Sequence, residues 1–163
     1  MKKRITWKSR TTWREKLEKK QEPKVVNVPP KMRKRFGSGT MLVPTPLLVD
    51  ALIQKVKKGK LVTVTQIMGR LAKDFHADST CPMTTGIFIR IAAGAAEEDL
   101  RGGKKQITPY WRVLRKDGML NEKFPGGTKA QAVRLKKEGH AIQLGKDKTP
   151  IKVKDFEKSL QEL

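Results

Sequence analysis

Apolar positions change character near residue 41. From there on they recur at helical or strand spacing; before it they are sparse and set among cations. Thr45-Pro46 reads as a helix start, with proline in the first turn. Val49, Leu52, Ile53 and Val56 follow at 3.6-residue spacing until Gly59 ends the run. Thr63 with Gln66 three residues later has the spacing of a capping box, and Ile67, Leu71 and Phe75 form the buried stripe of a second helix. A third helix is predicted from Pro82 to about Leu100. Its middle, GIFIRIAAGAA, carries small residues that allow another backbone to come close.

The second half is more broken. Arg101 to Pro109 reads as a loop, WRVL as a short strand, and Lys116-Asp117-Gly118 as a turn into Met119-Leu120. After the loop NEKFPGG, Thr128 and Gln131 repeat the capping-box spacing at the head of a helix that Gly139 ends. HAIQL and PIKVK read as a hairpin across GKDKT, and DFEKSLQEL as a short terminal helix. The expected fold is mainly α with small β elements and without internal repeats. Two helices and a third across a short turn fit helix-turn-helix geometry, with TTGIFIRIAAGAA as recognition helix. On periodicity alone an ordinary three-helix core fits equally well.

Residues 1–42 read as a basic arm preceding a domain at 43–163. Pro23, Pro29 and Pro30 break any long helix there, although Thr11 to Gln21 can form a short one. Residues 1–39 hold 14 Lys and Arg against 3 acids, and KMRKRFGSGT at Lys31 to Thr40 concentrates four of those cations. Trp7 and Trp13 are foreign to a purely disordered tail. They either dock the arm on the domain or stack on bases.

Charge decides the class of partner. With 37 Lys and Arg against 16 Asp and Glu, the formal net charge is +21, which points to a polyanion and most directly to nucleic acid. Cys81 is the single cysteine, so no internal disulfide forms, and no Cys/His spacing makes a zinc site. No cofactor is implied. No apolar run approaches a membrane span, and no apolar segment follows the basic N-terminus as in a signal peptide. The expected setting is a reducing, cytoplasmic, nucleoid-associated one.

The stretch Pro109-Tyr110-Trp111-Arg112-Val113 resembles the Pro-Cys-His-Arg-Val core motif of the O6-alkylguanine-DNA alkyltransferases and, more closely, of the alkyltransferase-like proteins. Gly126-Gly127, Gln131, Leu135 and Glu138-Gly139 continue the pattern downstream; Lys60-Leu61-Val62-Thr63-Val64-Thr65-Gln66-Ile67 matches it upstream. The resemblance spans roughly Val43 to Leu160. It implies a winged helix-turn-helix-like domain on double-stranded DNA, monomeric, with repair proteins as further partners. By the same resemblance Thr84, Thr85, Gly86 and Arg90 would meet DNA from the recognition helix, joined by Lys31, Arg33, Lys34 and Arg35 of the arm. Tyr110, Trp111, Arg112, Phe124, Pro125, Gly126 and Gly127 would form a base pocket.

Departures from the family pattern bear on chemistry. Alkyl transfer needs a thiolate activated by a histidine that a glutamate holds. Here Tyr110 replaces the cysteine and Trp111 the histidine, leaving Glu138 as the remnant of the relay. A phenol with a pKa near about 10 is a poor alkyl acceptor at neutral pH. Cys81 reads as a structural thiol. Val64 stands at the family's phosphate-rotating tyrosine, Gly102 near its asparagine hinge, and Arg90 is the nearest candidate for its arginine finger. Pro125 lacks both a hydroxyl and an amide donor where the family commonly has serine. The expected function is therefore non-catalytic DNA binding, with sensing of alkylated or flipped bases. The alternative is a structural or regulatory binder of DNA or RNA that has lost lesion recognition. No paired carboxylates or triad suggest another enzyme chemistry.

Overall fold

The computed structural model describes residues 11–163; Trp7 and the cations around it lie outside that range. In chain order the elements are α1 (Trp13–Glu18), β1 (Lys24–Asn27), α2 (Arg33–Phe36), β2 (Thr40–Val43), α3 (Pro46–Gln54), β3 (Val62–Thr63) and α4 (Val64–Asp74). Then come β4 (Ser79–Thr80), α5 (Pro82–Arg101), β5 (Val113–Leu114), α6 (Gly127–Lys137), β6 (Ile142–Leu144) and β7 (Pro150–Val153). Helices dominate, and the strands form three small sheets.

The predicted starts of α3 and α4 hold. The Thr45 hydroxyl accepts from the Leu48 amide at 3.3 Å. Thr63 accepts from the Gln66 amide at 3.2 Å while the Gln66 side chain accepts from the Thr63 amide at 2.9 Å, which closes the capping box of α4. The apolar stripes of these helices meet the inner face of α5. Val49, Ile53, Ile67, Leu71 and Ile89 are all at most 1 % exposed, and Ala92, Ala93 and Ala96 let α3 and α5 pack closely. The hairpin of β6 and β7 is antiparallel, with Ile142 opposite Val153.

Three local readings change. WRVL is not one strand: Tyr110–Arg112 make a 3₁₀ turn, and only Val113–Leu114 are extended, parallel to Val62–Thr63. The turn is closed by the Arg112 amide on the Pro109 carbonyl, 3.1 Å, which swings Arg112 back toward α3. At α6 the N-cap is Gly126 in the left-handed region (φ 77°), not Thr128. Gln131 is instead buried, accepting from the Asn121 amide and donating to the Trp111 and Val113 carbonyls, where the 3₁₀ turn passes into β5. The terminal segment forms a 3₁₀ turn at Phe156–Ser159 and then runs extended. There the Leu61 amide donates to the Ser159 carbonyl, 2.9 Å, and the Gln161 amide to the Leu61 carbonyl, 2.8 Å.

The basic N-terminal segment is woven into the fold. β1 pairs antiparallel with β2, and β2 pairs parallel with β4, so a boundary at residue 42 would cut a sheet. α1 lies along α5, with Leu17 1 % exposed. Its Trp13 indole rests on Gly94, where a Cβ would collide with the ring. The small residues of α5 therefore serve internal packing: Ala92 to Ala96 are all buried. Leu17→Ala should cost about 2–5 kcal/mol of stability in chemical denaturation, the range for a core leucine. A change within about 0.5 kcal/mol, as for an exposed position, would show that α1 is an outside appendage.

Candidate nucleic-acid interface

Tyr110, Trp111 and Arg112 lie in a hydrogen-bond network with Glu97, Arg134 and Glu138. Tyr110 is 3 % exposed and packs edge-on against Trp111 (ring centroids 5.5 Å) and Phe124 (5.1 Å). Its hydroxyl donates to Glu97 on α5 at 2.6 Å, and Glu97 in turn accepts from Arg134 of α6 at 2.7 Å. The Arg134 guanidinium lies over the Trp111 ring, 4.3 Å from its centroid. Burial pushes the Tyr110 hydroxyl well above the ordinary phenol range, the bond to Glu97 pushes it further, and the Arg134 charge offsets only part. The phenol is thus neutral and committed as a donor.

Glu138 sits at the centre of a second set of bonds. Its carboxylate accepts from Trp111 Nε1 at 2.8 Å, from Arg112 Nε at 2.8 Å and Nη2 at 3.0 Å, and from the Gly59 amide at 3.2 Å. Arg112 also donates to the Val56 carbonyl, 2.6 Å. Burial alone would raise the Glu138 pKa. The donors from Arg112, Trp111 and Gly59, with the Arg112 charge, outweigh it and hold the group below the usual carboxylate value. His140, beside this pair, is pushed down by burial. Glu138 therefore ties the segment after α3, the 3₁₀ turn and the end of α6 together, and Trp111 packs against both hydrophobic clusters of the described residues.

The expected base pocket does not open at Tyr110. Phe124 is buried at 3 %, and the Gly127 amide is spent on the Phe124 carbonyl at 2.8 Å. Cys81, half-buried, stands at the N-cap of α5. Thr85, expected to face DNA, points inward: it is fully buried and its hydroxyl donates to the Cys81 carbonyl, 2.7 Å, because it falls on the same face as Ile89. Thr84 and Gly86 differ in exposure from it only by helical phase, and Arg90 is exposed.

Cations carry the surface. Lys31, Arg33, Lys34 and Arg35 lie on the connection between β1 and β2, around the single turn of α2, and form no ion pair among the described residues. The outer face of α5 exposes Met83 (74 %), Ile87 (48 %) and Arg90 in sequence. It runs into a cleft of about 230 Å³ lined by Trp13, Arg90, Gly94, Lys123 and Pro125. A second cleft, about 360 Å³, has Arg14 of α1 and Pro109 among its walls. Among the described residues no group of three His, Cys, Asp or Glu is placed to hold a metal ion, and no helix is long and apolar enough to cross a membrane.

Sequence reasoning misses Glu97 and Arg134, and leaves Trp13 open between docking and stacking. A signal for Glu97 is present: Glu97-Glu98-Asp99 is the only run of three acids in a strongly basic chain. Each of these acids is engaged, Glu97 as above, Glu98 by the Trp13 amide and Asp99 by Arg14.

In class, then, this is a small, basic, mainly helical fold whose core motif is packed shut. No family model matches the sequence, and no curated protein matches it. Two solved structures are similar in fold. One is fission yeast (S. pombe) Atl1 in complex with damaged DNA containing O6-carboxymethylguanine: 17% identity, 72% of this chain and 94% of that chain covered, TM-score 0.49. The other is S. pombe ATL in complex with DNA, at 15% identity with the same coverage and a TM-score of 0.46.

Acid should unpick the Glu138 network. A carboxyl whose folded pKa is depressed stabilises the fold fully above its unfolded value of about 4.3, and that contribution is lost as the pH falls through the folded value. The depressed His140 acts in the same sense, since its unfolded form takes up a proton first, below about pH 6.5. Glu138→Gln should therefore melt well below the parent at pH 7, with the gap narrowing by about pH 3. An equal gap at both values would show that the charge is not what holds Arg112 and Trp111.

Proposed function

We propose that the protein binds double-stranded DNA and transfers no alkyl group, a non-catalytic binder of the alkyltransferase-like kind. The observation that carries this reading is the state of its core motif. Where the resemblance places a thiolate, Tyr110 keeps its proton and holds it in a hydrogen bond to Glu97 at 2.6 Å. Where it places the activating histidine, Trp111 has a single N–H, already donated to Glu138. A nucleophile would need both a deprotonated atom and a base beside it.

In this reading α4 and α5 act as a helix-turn-helix, with α5 against the duplex, and the β6–β7 hairpin as the wing. The net charge of +21 and the cluster from Lys31 to Arg35 supply cations for the phosphates. Recognition of an alkylated base is the finer claim. The burial of Tyr110 and Phe124 favours the second reading, a DNA or RNA binder of structural or regulatory role without a lesion pocket at that motif.

Binding to duplexes with and without O6-methylguanine, to single strands and to RNA separates these readings. The parent should prefer duplex DNA. Replacing Lys31, Arg33, Lys34 and Arg35 together by alanine should weaken binding and flatten the log–log salt slope by about 0.9 for each phosphate no longer neutralised. An unchanged slope would remove this cluster from the interface, and a preference for RNA would favour the second reading. Incubation with DNA carrying a labelled O6-methyl group should leave the protein unlabelled in mass spectrometry; stoichiometric labelling of Tyr110 or Cys81 would overturn the non-catalytic assignment.

A further inference from the structure

We propose that the outer edge of β1 is a docking site for an acidic, extended peptide segment of a partner protein, which adds to the sheet as a further strand. The inference stands apart from the nucleic-acid reading, and β1 precedes the stretch that carries the family resemblance.

β1 is the terminal strand of its sheet, whose order is β1-β2-β4. The bonds of β2 fix which backbone groups of β1 face outward. The Leu42 carbonyl accepts from the Cys81 amide at 2.8 Å, and the Thr40 amide donates to the Asp78 carboxylate at 2.9 Å. Both residues of β2 therefore turn their backbone toward the β4 side. Their antiparallel partners, Val25 opposite Leu42 and Asn27 opposite Thr40, are the non-hydrogen-bonded pairs. The Val28 amide donates to the Gly39 carbonyl at 2.8 Å, which gives the same phase from the end of the strand. Val25 and Asn27 thus point their N–H and C=O groups away from β2, roughly 7 Å apart along the strand. Among the described residues these outward donors and acceptors have no partner. All of β1 is exposed, Val25 at 46 % and Val26 at 37 %, and the two valines fall on opposite faces of the sheet.

Chemistry selects the occupant. An added strand satisfies donors and acceptors alike, whereas a phosphodiester backbone only accepts and would leave the Val25 and Asn27 carbonyls bare. The two valines offer apolar contact to alternate side chains of such a strand. Charge then sets the composition of the partner. Lys19, Lys20 and Lys24 lead into β1, and the cluster from Lys31 to Arg35 follows it. From residue 19 to residue 35 there are seven cations and one acid, so both ends of the strand favour carboxylates. None of these cations forms an ion pair among the described residues. A second copy of the chain would bring another net charge of +21 to the same edge, and residues 1–10 carry five cations and no acid. Lysines along an edge repel both, which leaves an acidic segment as the matched occupant.

The probe is a fluorescein-labelled peptide of alternating valine and glutamate, titrated with the full chain. It is compared with the same peptide carrying lysine for glutamate, with the glutamate peptide N-methylated at alternate amides along one edge, and with a duplex oligonucleotide as competitor. The glutamate peptide should bind at least about tenfold more tightly than the lysine peptide. N-methylation leaves the charge untouched and should weaken binding at least about fivefold, the low end for two backbone hydrogen bonds. Val25→Pro removes an outward N–H and keeps the bonds to β2, so it should weaken the glutamate peptide by a similar factor while duplex DNA binding stays within about twofold. In the unaltered protein the amides of Val25 and Asn27 should gain protection from hydrogen exchange when the glutamate peptide binds, a readout that holds even where Val25→Pro fails to fold. Equal binding of the N-methylated and parent peptides, or protection confined to other amides, would overturn the edge as the site. Equal binding of the glutamate and lysine peptides would overturn the acidic partner. A duplex that displaces the peptide and protects the same two amides would give the edge to nucleic acid and overturn the inference.

Discussion

Three adjacent carboxylates on α5 set the arrangement of everything around that helix. Consecutive residues of an α-helix point about 100° apart, so Glu97, Glu98 and Asp99 reach three different neighbours. Glu97 holds Tyr110 and, through Arg134, α6. Glu98 takes the amide that opens α1, and Asp99 takes Arg14 with Lys104 nearby at 3.7 Å. In a chain with a net charge of +21, cations repel one another across most of the surface. Concentrating acids at one place gives the basic N-terminal segment somewhere to dock and fixes the aromatic motif from the opposite side.

That motif is a point of cohesion for the fold. Glu138 accepts four donors from two distant parts of the chain, Gly59 and the Trp111-Arg112 pair, and Trp111 touches both apolar clusters. Removing one partner from a buried, charged network strands the others, which costs more than any single bond contributes. Selection on stability alone accounts for a glutamate at position 138, and its presence is no evidence of chemistry.

The helices are legible because their signals are local. Thr45-Pro46, the Thr63/Gln66 box and the Ile67-Leu71-Phe75 stripe each specify a start or a face within a few residues. What escapes depends on distant partners. WRVL has strand composition, yet Arg112 must reach Val56 and Glu138, and a 3₁₀ turn achieves that. Gln131 has capping-box spacing from Thr128, yet the carbonyls of Trp111 and Val113 take its side-chain amide. The segment 11–42 reads as an arm by charge, yet the apolar faces of Leu17 and Trp13 find their match on α5, far along the chain. Thr85 looks like a polar surface residue until helical phase sets it beside Ile89. At the site, the sequence picks out the aromatic pair but not its burial, since burial of Tyr110 turns on Glu97 and Phe124 rather than on its own neighbours.

The extended stretch after the last 3₁₀ turn has a consequence for the order in which the protein can be made. Leu61, fully buried, closes its backbone only through Ser159 and Gln161, while the Gln161 side chain binds the Lys55 carbonyl and the Lys57 amide. β3 and the entry to α4 lie directly after that residue. A chain emerging from a ribosome therefore leaves the edge at Leu61 open until about a hundred further residues, through Gln161, have been made. Its first helices can form early on their local signals, whereas the backbone of Leu61 finds its partners only when Ser159 and Gln161 arrive.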